Sequence, residues 1–400
     1  MTSPRRVAIT GLGLICASGN TVAESWTSMQ AGVCSLATIQ SVDTTPYKFH
    51  QGGEVRAFDP VQHFEPKHLD LLDRFAQFVL VAAREAVKES GVDFEADMSA
   101  RAAVITGTGA GGFCTVDEQW ARPRMHPLTI PRTMASAGAS HIAMDFGITG
   151  PAFTVSSACS SSNHAIGQAF WMVRNGQADV ALAGGSEAPF TAAVLRGWDA
   201  LRVVSPDTCR PFSRDRRGLL LGEGGGVMVL EPLDHARARG AKILGEIAGF
   251  GMSSDAAHIT QPAVSGPTMA MQAALKDAGI APKSVGYINA HGTGTTLNDA
   301  TEASAIRQVF GTHPVAVSST KSMHGHAIGG AGAIEAVATV LALRDGVLPP
   351  TVNYSERDPQ IDLDLVVASA RQAQCEYALS NSFAFGGLNA VLVFRRGEEY

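Results

Sequence analysis

Short, continuous apolar runs recur along the whole chain, and they constrain its fold more than any other feature. The runs are RVAIT (6–10), AAVIT (102–106), AFTVS (152–156), DVALAG (179–184) and GVMVLE (226–231), then VGYINA (285–290), VAVSS (315–319), LDLVVAS (363–369), YALSNSF (377–383) and AVLVF (390–394). Apolar residues follow one another here instead of alternating with polar ones, as they do in strands covered on both faces. Helix-like stretches separate them, clearest at 67–90, 132–146, 160–175, 265–278, 298–309 and 330–344, with Asn298 and Asp299 as the expected N-cap of the fifth. The pattern predicts an α/β protein with buried sheets between helical layers. A chain of 400 residues has room for two or three such units. No linker divides it. The softest seam lies at 240–250, where HARARG closes a helix and KILGEIAGF opens a strand. That seam suggests two fused halves, 1–245 and 246–400, although no repeat is visible between them at the level of residues.

Hydrophobic residues make up 45% of the chain and charged residues 17%, a globular balance that excludes disorder. The net charge of −6 gives no global field for nucleic acid. Arg210, Arg214, Arg216 and Arg217 form a local basic patch, either a solvated loop or a docking site for an acidic partner. The six cysteines have neither CxxC pairing nor ligand spacing, so the expectation is reduced thiols in a cytoplasmic protein without a metal. The N-terminus has the basic start and apolar stretch of a signal peptide, but Gly11 and Gly13 interrupt it and a strand fits better. With no run of 18 apolar residues, membrane insertion is not expected.

GTGAGG (107–112) fits a dinucleotide fingerprint, yet FCTVDEQW after it is a poor helix opening and no acidic strand end follows at the usual distance. A glycine-rich wall beside an apolar pocket suits it better. The strongest chemical signal is AFTVSSACSSSNHAIGQAF. A strand runs into Cys159 and a helix starts just beyond, so the sulfur would sit at a helix N-terminus that favours thiolate and aims N–H groups at an oxyanion. A small buried cysteine is the bland alternative. YINAHGTGTTLND then delivers His291 beyond one buried strand, and VSSTKSMHGHAIGGAGAIEA supplies Lys321, His326 and Glu335 beyond another. Strand ends are where α/β proteins place their sites. Two neutral imidazoles can donate to the enolate left when a malonyl unit loses carbon dioxide. An acyl-cysteine thioester is the electrophile that enolate needs, and a Lys–Glu pair can bias the electrostatics. In NSFAFGGLN, Phe385 precedes two glycines; its N–H can complete an oxyanion hole and its ring can gate a pocket, or the segment is a packed β-bulge.

With these motifs in order, the chain resembles the beta-ketoacyl-acyl-carrier-protein synthases of the thiolase superfamily from end to end. The markers are SSACSSS, CRPFSRDRRGLLLGEGGGVMVLE, FGMSSDAAHIT, AHGTGT, STKSMHGHAIGGAG and FAFGGLN. The resemblance implies a five-layered αβαβα thiolase fold made of two similar halves, normally a dimer. It implies Cys159 as acyl nucleophile, His291 and His326 as the decarboxylation pair, and Lys321 with Glu335 beside them. Thr293 and Thr295 would hold the phosphopantetheine arm, the N–H groups of Cys159 and Phe385 would form the oxyanion hole, and Phe385 would be the gate. The implied partners are acyl carrier protein and a second subunit, identical or ketosynthase-like. No cofactor is implied beyond substrates carried on the phosphopantetheine arm.

The gate segment departs from the family's usual Gly-Phe-Gly-Gly-Thr-Asn at Ala384 and Leu388, and Gly294 stands where fatty-acid enzymes tend to carry Ser. These features lean towards polyketide and polyene ketosynthases, while SSAC and GMSSDAAHIT lean towards fatty-acid ones. Ala110 takes the place of a larger residue that shortens the acyl pocket in some relatives, which predicts room for longer or rigid unsaturated chains. A thiolase would need a second cysteine in NSFAFGGLN; there is none, and Cys375 is expected in a surface loop upstream. A non-catalytic chain-length-factor subunit would be expected to lack Cys159. An active subunit paired with such a factor remains a distinct alternative.

Overall fold

The structure is a computed structural model that describes residues 4–95 and 97–398. The chain begins with β1 (Val7–Cys16), β2 (Ala102–Gly107), β3 (Ala152–Val155), β4 (Val180–Glu187) and β5 (Gly224–Pro232). It continues with β6 (Gly245–Ser254), β7 (Val285–Asn289), β8 (Ala316–Ser318), β9 (Asp364–Leu365), β10 (Tyr377–Ala384) and β11 (Leu388–Arg396). The helices that build the layers and the site are α1 (Arg74–Ser90), α2 (Phe113–Trp120), α3 (Ala137–Phe146), α4 (Ser161–Arg174), α5 (Ala192–Leu201), α6 (Ser265–Ala278), α7 (Thr296–Phe310) and α8 (Ala331–Asp345).

Strand order reveals a duplication that the residues conceal. The hydrogen-bonded sequence is β9-β8-β7-β10-β11-β6-β1-β5-β4-β2-β3. Taken half by half, and with the two-residue β9 set aside, β3-β2-β4-β5-β1 and β8-β7-β10-β11-β6 place strands of equal rank in equal positions. Directions match too: the first two pairings in each half are parallel and the last two antiparallel. The halves join where Val7–Ile9 pair with Gly245–Ile247. Helix α1 covers β1 and β5, and α6 covers the equivalent β6 and β11. Between the halves lie α4 and α8, which touch each other; α8 packs on strands of both halves and is buried on all sides from Ala331 to Leu343. A helix apolar all round belongs inside a protein, as this middle layer does.

The glycines of β1 have a packing role. A Cβ on Gly11 would lie 2.0 Å from the Ala86 carbonyl oxygen, and one on Gly13 1.8 Å from that of Ala82. They let α1 rest directly on the strand backbone, and every residue of β1 is buried.

Several sequence expectations need correction. The helix expected at 67–90 is broken before Arg74, because the Asp73 carboxylate caps α1 by accepting the Phe75 N–H. The stretch 132–146 also divides, and only Ala137–Phe146 forms its main helix. Thr295, not Asn298 or Asp299, is the N-cap of α7. LDLVVAS forms a strand only at Asp364–Leu365, with an isolated bridge from Val367 to Thr351 beyond it. FCTVDEQW is helical after all: Asp73 accepts the Thr115 N–H at 2.6 Å, a first-turn anchor from 42 residues away that no local pattern announces. Cys375 is 7% exposed, packed against Gly286 instead of lying in a surface loop.

Candidate active site

Cys159 lies between β3 and α4, in a turn tight enough to force Ala158 to φ 50°, a left-handed conformation uncommon for a residue with a Cβ. Ser160 anchors the turn, its hydroxyl donating to the carbonyls of Ser382 (2.9 Å) and Leu388 (2.7 Å). Those carbonyls belong to the two strands flanking Phe385, so the cysteine turn and the Phe385 loop are fixed to each other. On α4, Asn163 donates to Ser380 and Ala390 on the same strands. Cys159 is 6% exposed, and burial pushes its thiol pKa up to about 11 against the pull of Lys321 and of the N–H groups of Phe385 and Cys159 itself. Burial therefore outweighs the helix terminus, and the resting group is a thiol. The same two N–H groups face the place where a carbonyl attached to that sulfur would carry its oxygen.

His291 and His326 face one another edge to face, with ring centroids 5.4 Å apart. Both are buried. Their pKa values lie well below the ordinary 6.5, through burial first and the Lys321 ammonium second. Lys321 donates to the His291 carbonyl at 2.7 Å, stands 3.4 Å from His291 Nδ1, and pairs with Glu335. An ammonium only donates, so Nδ1 of His291 accepts and its proton resides on Nε2. Burial pushes Glu335 up to about 7 against the pull of Lys321. Backbone bonds seat His326: its N–H donates to Leu220 O (2.7 Å) and its carbonyl accepts from Gly222 N (2.9 Å).

Sequence reasoning missed two buried carboxylates. Glu302 on α7 accepts the N–H groups of His291 (2.8 Å) and Gly292 (2.7 Å) together with the Asn381 amide. Glu187 at the end of β4 accepts Thr108 Oγ1, the N–H groups of Gly109 and Ala110, and that of Gly329 three residues beyond His326. The glycine-rich loop thus wraps an internal carboxylate. Neither residue stands in a motif, and the only hint in the chain was an acidic residue inside an apolar strand or helix.

Cys159, His291, His326, Thr293, Thr295, Phe383 and Phe385 line one cavity of about 230 Å³. The two threonine hydroxyls are 2.9 Å apart. Phe385, Gly386 and Gly387 form the three-residue turn between β10 and β11, with Gly386 and Gly387 at φ 82° and 69°, so the segment is a hairpin turn and not a bulge. Ala110 is not in the cavity: its N–H turns inward to Glu187, leaving the residue exposed on the single chain. The basic patch also divides. Arg216 is 7% exposed and spent on Asp358 (2.5 Å) and the Thr296 carbonyl, and Arg210 is held by Asp207. Arg214 pairs with Glu356 (2.7 Å) and Arg217 with Asp207 (3.0 Å), yet both keep high side-chain exposure, 62% and 60%.

A sulfur at a helix start, two neutral imidazoles and two inward N–H groups around one cavity define an enzyme that works on acyl thioesters. Residues 4–236 match the beta-ketoacyl synthase N-terminal domain, and residues 244–355 match the beta-ketoacyl synthase C-terminal domain. The chain belongs to the beta-ketoacyl synthase family, and its layered architecture is the thiolase-like one. It is 46% identical over 400 residues to nodulation protein E of Rhizobium leguminosarum bv. trifolii, covering 98% of this chain and 99% of that one. It is 41% identical over 414 residues to 3-oxoacyl-[acyl-carrier-protein] synthase 2 of Staphylococcus aureus (strain COL), covering 100% of each. The solved ishigamide ketosynthase/chain length factor matches at TM-score 0.94 and 36% identity, over 99% of this chain and 100% of that one.

Proposed function

We propose that this protein is a beta-ketoacyl-acyl-carrier-protein synthase that joins an acyl group on Cys159 to a malonyl unit with loss of carbon dioxide. The observation that carries this reading is the cavity shared by the Cys159 sulfur and the two neutral imidazoles. In the first step the sulfur attacks the carrier thioester, and the thiol proton ends on the departing phosphopantetheine sulfur. The oxyanion that forms and collapses is met by the N–H groups of Cys159 and Phe385. Malonyl thioester then enters past Thr293 and Thr295 and releases carbon dioxide, and its enolate oxygen takes hydrogen bonds from His291 and His326. The enolate carbon attacks the acyl carbonyl, and expulsion of the Cys159 sulfur, which regains a proton, frees the ketoacyl product. Lys321 and Glu335 act through His291, and no resident cofactor enters any step. Intact mass spectrometry tests the sequence of events: the wild-type protein should gain one acyl mass from acyl-carrier protein and lose it when malonyl-carrier protein is added.

Within the four-arginine patch, carrier docking falls to Arg214 and Arg217, which keep the exposure that Arg210 and Arg216 lose, and Arg217 also lines the cavity. Reversing both charges should raise the apparent carrier KM about 10-fold at low salt, with the difference shrinking as salt is added. An unchanged KM at low ionic strength would refute that placement.

A second subunit, identical or ketosynthase-like, covers the face around β3. This strand is the outer edge of the sheet, with Phe153 exposed, and Trp120 (81%), Ile130 (72%) and Met144 (66%) are exposed too. Bare edges and apolar patches of this kind mark association surfaces. Sedimentation of the purified chain should give a species of twice 41.8 kDa, or of that mass only when the ketosynthase-like subunit is supplied; a monomer under both conditions removes the proposal. The six unpaired cysteines support a cytoplasmic place, which recovery from an oxidising compartment would overturn. Among the described residues no helix is long and apolar enough to cross a membrane.

A further inference from the structure

Glu187 is a buried carboxylate to which the reaction as described gives no part. It ends β4, and its oxygens accept from three backbone N–H groups and one hydroxyl, none of them charged. Oε1 takes Thr108 Oγ1 (2.9 Å) and the Ala110 N–H (3.3 Å); Oε2 takes the N–H groups of Gly109 (2.6 Å) and Gly329 (3.0 Å). Gly109 follows β2 in the half that carries Cys159, and Gly329 precedes α8 in the half that carries His326. One oxygen therefore ties the two halves together beside the site. The approach needs glycine on both sides: a Cβ on Gly329 would lie 2.1 Å from Gly109 N, and one on Gly109 2.9 Å from Glu187 Oε2. Both segments also hold the cysteine turn. Ser162, in the first turn of α4, donates to Gly329 O, and Ser156, just before that turn, donates to Gly109 O (3.3 Å). Gly107 rests on the same helical turn, where a Cβ would lie 2.4 Å from the Ser161 carbonyl carbon. The carboxylate acts across space as well. Lys321 draws Cys159 towards thiolate and Glu187 opposes it, while His291 and His326, on the same cavity, are neutral. Burial pushes Glu187 itself up to about 7 against its four donors, so it carries its charge above that value.

We propose that Glu187 is a positioning residue for condensation, acting on Cys159 through this scaffold and through its charge. It holds the glycine-rich loop and the segment after His326 together, and so fixes the sulfur relative to the imidazole pair. Acyl loading uses the cysteine side alone, and decarboxylation uses the imidazole side alone. Only formation of the carbon–carbon bond needs the two sides in register, so that step is the one Glu187 serves. Its charge meanwhile restrains ionisation of the sulfur. This inference rests on the condensing reading above.

Glu187→Ala and Glu187→Gln separate the two effects in the intact protein. Alanine removes the acceptor on which Gly109 and Gly329 meet. Glutamine keeps it: with its oxygen in the Oε2 position, its NH2 faces the Thr108 hydroxyl, which can accept as well as donate, and only the long Ala110 bond is lost. Condensation by the alanine variant should fall about 10- to 100-fold, the cost of a displacement on the order of 1 Å, while acyl loading and carbon dioxide release, each measured alone, change less than about 3-fold. Glutamine should restore condensation. At pH 8.5, iodoacetamide should alkylate Cys159 of the glutamine variant about 3- to 10-fold faster than that of wild type, read by peptide mass, because a nearby negative charge has gone. The gap should close below about pH 7, where the wild-type carboxyl takes up its own proton. A merely structural residue would move neither the ratio of condensation to its half-reactions nor this profile. A folded alanine variant that condenses at the wild-type rate, or that loses all three activities to the same extent, would overturn the proposal. If alanine does not fold, the alkylation profile decides, and a glutamine variant that matches wild type would overturn it. Wild type that takes up no acyl group from any carrier would instead sink the condensing reading, before any variant is compared.

Discussion

Replacing Cys159 by alanine is expected to abolish acyl loading and condensation while release of carbon dioxide from malonyl-carrier protein continues. The loss should be on the order of 10⁴-fold or more, because no second nucleophile can substitute when the residue that forms the covalent bond is gone. Among the described cysteines, Cys209 also borders the active-site loops, but its sulfur donates to the Thr293 carbonyl at 3.4 Å and burial pushes its thiol up to about 12. It cannot stand in. The imidazole pair is untouched by the substitution, since His291 is positioned by Glu302 and Lys321 and His326 by Leu220 and Gly222. The decarboxylating half of the site should therefore survive, with the enolate protonated by solvent in place of attacking an acyl group. Intact mass and carbon dioxide release, measured on the same preparation, separate the two halves of the reaction. An acyl adduct on the alanine variant would show that another group is the nucleophile. Loss of both activities in a folded variant would mean that the sulfur serves decarboxylation as well.

How much of this arrangement was legible in the chain depended on whether the cause was local. Buried strands announce themselves as apolar runs, and Cys159, His291, Lys321 and His326 all follow such runs directly, so the four could be named and placed at strand ends. The chemistry they imply needed only their residue types. Features made by distant partners were invisible. Asp73 anchors α2 from 42 residues away, Glu302 reaches back to the His291 and Gly292 amides, and Glu187 joins the 108–110 loop to Gly329. The duplication is likewise a matter of pairing order, which side-chain identity does not record. Arg216 misled for a related reason: four arginines in eight residues read as a surface, yet one of them turns inward to Asp358. Trp198, whose ring stacks on that of Phe385, carried no signal at all, because this partner lies 187 residues further along the chain.

His326→Ala should lower decarboxylation by about 10²- to 10³-fold, the usual cost of deleting one preorganised donor to a developing oxyanion. Of the two histidines it gives the cleaner experiment. His291 is tied through its carbonyl and ring to Lys321, so truncating it also disturbs the buried Lys321–Glu335 pair, and a rate loss would have two causes. The seat of His326 is made of backbone bonds that alanine keeps. Acyl loading of Cys159 should persist in the variant, because that step uses the N–H groups of Cys159 and Phe385. The pH profile carries the second half of the argument. Both histidines have pKa values depressed well below 6.5, so they gain a proton only as pH falls past those lowered values. Between pH 8 and 6.5 they stay neutral, and the decarboxylation rate of the wild type should show no loss from their titration across that window. A rate that halves near 6.5 as acid is added, with the fall absent from His326→Ala, would assign an ordinary imidazole to that position. Donation by a neutral ring held in a dry, cationic setting would then be the wrong account of how the enolate is stabilised.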